Sequence, residues 1–142
     1  MSTASMIELN TVVTYPDNES GDAALVTVMQ RRGTRDALLV TIAKGGLADH
    51  KALLARLVDF QHRNEPTVML TIEAFNSLLA TTALLHWVTG DPDAALEQLG
   101  CVAGQHRMTE LLTQLLINEV PGDAYLAGLS SMTVEECLAF EG

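Results

Sequence analysis

Residues 74–99, AFNSLLATTALLHWVTGDPDAALEQL, decide the fold. From Ala74 to Gly90 there is no charged side chain, and the apolar residues fall on every side of a helical wheel. The stretch from Thr67 to Thr89, which opens on β-branched Thr67, Val68, Thr71 and Ile72 and continues through Leu78, Leu79, Leu84, Leu85 and Trp87, therefore predicts a helix at the buried centre of a bundle. Gly90 can adopt the left-handed conformation that ends this helix, Asp91 can cap the next, and Pro92 at a first helical position sacrifices no hydrogen bond. The junction predicts a tight helix hairpin. Its second arm buries Ala95, Leu99, Val102 and Ala103 and ends near Gly104.

Working outward, Leu47–Arg63 places Leu47, Leu54, Leu57, Val58 and Gln61 along one helical face, and Asn64 and Pro66 end it. Asp22–Arg32 reads as a short helix stopped by Gly33. Thr34 is expected to accept from the N–H groups opening the next helix, Arg35–Lys44, which Gly45-Gly46 terminates. Downstream, Met108, Leu111, Leu112, Leu115 and Leu116 repeat at i, i+3, i+4, i+7 and i+8, so residues 106–118 predict a helix with one face on the core. Pro121-Gly122 closes it, Asp123 can cap a short segment, and Thr133 with Glu136 has capping-box spacing. Residues 1–20 are polar apart from Ile7–Tyr15, for which an arm or one edge strand is expected. The prediction is a single all-α domain over 21–142, a compact array of six to eight short antiparallel helices.

The chain has 142 residues, 48% of them apolar and only 18% charged, which excludes a disordered tail and allows a core without metal or disulfide staples. Its net charge of −10 is unevenly spread. Residues 31–63 carry seven bases against three acids, whereas residues 64–142 carry eleven acids against one base, Arg107. Cys101 and Cys137 are too few for a disulfide framework, and both read as reduced and buried. Met1–Met6 lacks a basic start leading into an apolar run, and the uncharged run 74–90 is short and polar for a membrane span, so a cytoplasmic chain is expected.

Two resemblances accompany these patterns. Ala83–Ala95 (ALLHWVTGDPDAA) is similar to one helix pair of a tetratricopeptide repeat, but a single copy cannot build a solenoid. Arg35–Leu39 (RDALL), Ala83–Leu96 (ALLHWVTGDPDAAL) and Leu111–Tyr125 (LLTQLLINEVPGDAY) together resemble the C-terminal helical half of the actinobacterial family known as domain of unknown function 4192. This resemblance spans about residues 34–126. It implies a helical module of actinobacterial or actinophage origin with no assigned reaction, and the chain lacks a recognisable counterpart of the family's N-terminal half.

Chemistry-bearing patterns are sparse. Asp59 and His62 lie three apart and Asp49-His50 a few turns earlier, but zinc needs three or four converging ligands and no HExxH, ExxH or CxxC spacing supplies them. His86, beside Trp87 in the most apolar stretch, reads as a hydrogen-bonded core or interface residue. Glu135-Glu136 would raise the Cys137 thiol pKa, which opposes a reactive thiolate. No GxSxG elbow, P-loop or dinucleotide fingerprint occurs. No catalytic residue, cofactor or metal is therefore assigned. An enzyme would require His62, His86 or His106 to meet acids in one pocket.

The mean hydropathy of +0.20 at such low charge points to apolar surface covered by a partner. The expected function is a non-enzymatic helical protein–protein interaction module, binding another protein or itself as a homodimer. The resemblance adds a phage or mobile-element setting in which the target is a host protein. Arg31, Arg32 and Arg35 are the expected contact residues. The alternative is a DNA-binding regulator using the basic segment 31–63, since a helix, short turn and helix from Asp22 to Lys44 carries these arginines. The acidic remainder of the chain repels phosphate and so opposes it.

Overall fold

Apolar residues at helical spacing, separated by Gly, Pro and capping residues, give eight helices and no strand among the described residues. The computed structural model describes residues 19–45, 47–64, 71–102 and 104–139. In chain order the helices are α1 (Glu19–Gln30), α2 (Arg32–Lys44), α3 (Leu47–Asn64), α4 (Ile72–Val88), α5 (Pro92–Leu99), α6 (Arg107–Ile117), α7 (Gly122–Ser130) and α8 (Val134–Ala139). The expected edge strand Ile7–Tyr15 lies outside the described residues, and Glu19 and Ser20, assigned to the arm, belong to α1.

Helix α4 is the axis of the packing. Twelve of its residues, from Ala74 to Trp87, are buried. Ala74, Leu78 and Leu85 join Leu25, Val28 and Met29 of α1, Leu38 of α2, and Leu57 and Phe60 of α3 in one half of the core, which Cys137 of α8 completes. Ala80, Ala83, Leu84 and Trp87 join Ala95 and Leu99 of α5 and Met108, Leu112 and Leu116 of α6 in the other half. Leu39 brings α2 into this second half as well. A helix enclosed on all sides must satisfy its own hydroxyls. Thr82 Oγ1 donates to the Leu78 carbonyl at 2.8 Å and accepts from Gln61 Nε2 of α3 at 3.0 Å, while Thr81 faces Met29 Sδ at 3.9 Å.

The hairpin forms as its residues dictate. Gly90 has φ +100°, its N–H bonds to the Trp87 carbonyl, and the Asp91 N–H bonds to that of His86, a Schellman closure. Asp91 Oδ1 then accepts from Ala94 N at 3.1 Å to cap α5. Gly122, at the start of α7, lets that helix approach α4 closely, since a Cβ there would stand a tight 3.3 Å from Val88 Cα. Beside it Trp87 and Tyr125 pack with ring centroids 5.7 Å apart. Thr133 and Glu136 exchange the two bonds of a capping box at 3.1 and 3.2 Å.

Other boundaries differ from the sequence reading. The break between α1 and α2 falls at Arg31, and Gly33 lies inside α2. Thr34 Oγ1 donates to the carbonyls of Val28 and Arg31, at 2.7 and 3.1 Å, so it ties down the end of α1 as a donor. Helix α4 starts at Ile72 because the Thr71 hydroxyl caps it by accepting from Ala74 N. The buried stripe of α3 is His50, Leu53, Leu57 and Phe60, with Leu54 and Val58 only half-buried at its flank. Helix α5 ends at Leu99, leaving Val102 half-buried beyond it. Pro121, with no side-chain cap, precedes α7, and Asp123 sits in its first turn.

Helix α6 closes with a second Schellman pattern, Glu119 N–H to Leu116 O and Val120 N–H to Leu115 O, which puts Glu119 at φ +56°. Substitutions at these two left-handed helix ends, Gly90 and Glu119, are expected to act in opposite directions. Gly90→Ala, whose new methyl would meet no atom within 4 Å, should cost about 1–2 kcal/mol from backbone strain alone. Glu119→Gly should add about 1 kcal/mol. Urea unfolding followed by circular dichroism reads both.

Candidate functional site

A cleft of about 420 Å³ opens where α2, the N-terminal turn of α4, residues 105–111 and α7 meet. Its lining combines Arg35, Asp36, Glu73, Gln105, His106 and Arg107 with apolar Met108, Leu111, Leu129 and Met132 and with Tyr125. Leu39 and Val40, both buried, form part of its lining.

Arg35 is the hub of the polar contacts in the lining. Its side chain is only 8% exposed, and burial of a guanidinium is tolerated only when its charge is answered and its donors are bonded. Nε and Nη2 both donate to Asp36 Oδ1, at 3.1 and 3.0 Å. Nη1 donates to Ser77 Oγ at 3.3 Å and lies 3.6 Å from Glu73 Oε1. Ser77 in turn donates to Glu73 Oε1 at 3.3 Å. One guanidinium thus ties α2 to the first two turns of α4.

His106 extends this cluster to α6. Its Nδ1 shares a hydrogen bond with Thr109 Oγ1 at 2.8 Å, and its Nε2 lies 3.7 Å from Glu73 Oε1, beyond hydrogen-bond range. Nε2 is buried and without a hydrogen-bond partner. Burial lowers the His106 pKa, Arg35 adds to the lowering, and Glu73 and Glu110 oppose it. The structure therefore does bring a histidine and acids together in one pocket. General-base chemistry still needs a ring nitrogen within reach of a substrate, and here one nitrogen is engaged by Thr109 while the other is sealed. Ser77, fully buried, is equally out of reach as a nucleophile. Burial, followed by Asp36, raises the Tyr125 pKa, so the phenol remains a neutral donor. The Arg35 cluster links α2, α4 and α6.

Arg31 is exposed, the Arg32 side chain lies outside what is described, and Arg35 is turned inward against its carboxylates. The three expected contact residues therefore do not form one surface through Arg35. His50 is buried, with Nε2 donating to the Ile42 carbonyl at 2.6 Å and so holding the end of α2. His62 is exposed and His86 half-buried. No group of three or more His, Cys, Asp or Glu positioned for a metal occurs among the described residues. Cys137 is buried, and its thiol pKa is raised first by burial and then by Asp36 and Glu136. Cys101, expected inside, is exposed, because α5 ends two residues before it. No described helix is long and apolar enough to cross a membrane. Sequence reading missed Glu73 and Tyr125, for which no spacing signal existed.

Comparison with known proteins returns no family model, no curated protein and no solved structure that matches this chain.

The His106 environment has a pH consequence. Because its folded-state pKa lies below the ordinary 6.5, the unfolded chain binds this proton more readily, and the contribution from His106 is lost as pH falls below about 6.5. His106→Asn, which supplies a preferred helix-capping residue at the same position, should flatten that part of the stability profile. It should leave stability at pH 7.5 within about 1 kcal/mol of wild type. Urea midpoints measured from pH 7.5 to 5 test this.

Proposed function

We propose that the chain is a helical protein–protein interaction module without chemistry of its own, and that the cleft beside α6 is where it engages another protein or a second copy. The observation that carries this reading is the exposed apolar part of the cleft lining. Leu111 is 49% exposed and Met132 39% exposed, whereas Leu112 and Leu116 of α6 are buried. Methionine side chains adapt to differently shaped apolar partners, and Met108 and Met132 both line the cleft. Outside the cleft, Ile72, 70% exposed, and Phe75 leave apolar surface one turn apart on α4.

The polar lining supports the same reading. Arg35, Asp36 and Glu73 are paired with one another, which rigidifies this wall of the cleft. The resemblance to domain of unknown function 4192 is consistent with a helical module to which no reaction is assigned. The DNA-binding alternative loses Arg35, whose donors are bonded within the fold.

Site-directed photo-crosslinking tests the proposal. A photoreactive residue at position 111 should capture a protein partner or a second copy in cells, whereas one at Glu97, exposed on α5 and outside the cleft, should not. Equal capture at both positions, or none at 111, would contradict it.

A further inference from the structure

We infer that Glu73 changes partners when His106 takes up a proton. Its carboxylate closes on His106 Nε2 and withdraws from Arg35, so the cleft wall shared by α2, α4 and α6 has one arrangement at neutral pH and another in mild acid. This exchange is independent of what occupies the cleft. It begins with an ionisable ring that is buried with one nitrogen unanswered. His106 Nδ1 is engaged by Thr109 Oγ1 at 2.8 Å, while Nε2 has no hydrogen-bond partner and lies 3.7 Å from Glu73 Oε1. An uncharged ring tolerates that gap. An imidazolium carries a proton on both nitrogens, and a buried cationic N–H left unbonded is far more costly.

The groups around the ring single out Glu73. From α2 it is faced by Arg35, which is paired with Asp36, and from α4 by Glu73. Its own helix adds Arg107 and Glu110, and α7 presents the Tyr125 phenol to the same cleft. Helix α5, which also packs on α6, carries Asp93 and Glu97 behind its cap Asp91, all three exposed. Glu73 exerts the strongest pull on a charged His106 ring, ahead of Glu110. It is also loosely held. Its Oε1 accepts from Ser77 Oγ at 3.3 Å and stands 3.6 Å from Arg35 Nη1, and the side chain is 49% exposed, which leaves it room to turn. Charge-assisted N–H···O bonds settle near 2.7–2.9 Å, so a shift of about 1 Å completes the bond to Nε2. Arg35 can release its share, because Asp36 Oδ1 still accepts from Nε and Nη2 and Ser77 still accepts from Nη1. Burial outweighs Glu73 and holds the His106 pKa below 6.5, so the exchange takes place below that pH.

NMR of the histidine ring nitrogens in the full-length protein locates the His106 midpoint. Crystal structures at pH 7.5 and about one pH unit below that midpoint then show the wall on either side of it. In acid, a Glu73 carboxylate oxygen should lie within about 3 Å of His106 Nε2 and farther from Arg35 Nη1 than at pH 7.5. Glu73→Gln, which keeps an acceptor for Ser77 but no charge, should lower the midpoint by about half a pH unit or more, and Glu110→Gln should lower it clearly less. An unmoved Glu73, or a protonated ring turned out to solvent, would overturn the inference. So would a Glu73→Gln midpoint that matches wild type or Glu110→Gln, since the acids would then act only as a diffuse field. A His106 ring that gains its proton only as the protein unfolds would overturn it as well.

Discussion

Helix α4 has no polar face, and that constraint organises the molecule. A helix with Ala74, Leu78, Ala80, Ala83, Leu84, Leu85 and Trp87 all buried can exist in water only if neighbours cover it from every side. The chain supplies α1 and α3 against one side and α5, α6 and α7 against the other, while α2 contributes to both halves of the core and α8 packs on α2. The short connection at Gly90-Asp91 folds α5 directly back onto it. Hydroxyls on α4 are answered locally or by a single partner, so the helix carries Thr81 and Thr82 into the interior without leaving them unbonded.

The cleft exists because this coverage ends at the first turn of α4. There the helix meets α2 and the start of α6 through Arg35, Ser77, Glu73 and His106. An arginine in that position is buried beneath two partly exposed carboxylates that answer its charge. Its burial also removes it from the surface. The apolar lining arises differently. Met108, Leu112 and Leu116 are buried, which leaves Leu111 at the edge of the same apolar stripe, and Met132 joins the lining from the turn after α7.

Features written in local sequence were legible. The hairpin at Gly90-Asp91-Pro92 and the Thr133–Glu136 capping box each depend on residues within a few positions of one another, and each forms as its spacing predicts, whereas the α6 stripe forms in part, with Met108, Leu112 and Leu116 buried and Leu111 exposed. The all-α class follows from such signals. Less legible was anything set by tertiary partners. Thr34 reads as an acceptor for its own helix, yet the carbonyls left open at the end of α1 recruit its hydroxyl as a donor. The α3 stripe shifts to His50, Leu53, Leu57 and Phe60 because the Ile42 carbonyl offers His50 a buried partner. Arg35 reads as a surface contact beside Arg31 and Arg32. Only the approach of Ser77 and Glu73, some forty positions away, makes its burial tenable.

If α4 is the shared wall of both halves of the core, neither half can open while the other stays folded. Native-state hydrogen exchange at rising, sub-denaturing urea tests this most directly. The expected result is that the slowest amides of α4, of α1 and α2, and of α6 merge on one unfolding free energy, the global one. An α5–α7 segment that exchanged at a distinctly lower free energy, with α4 still protected against α1–α3, would contradict it and would make the cleft a transient feature.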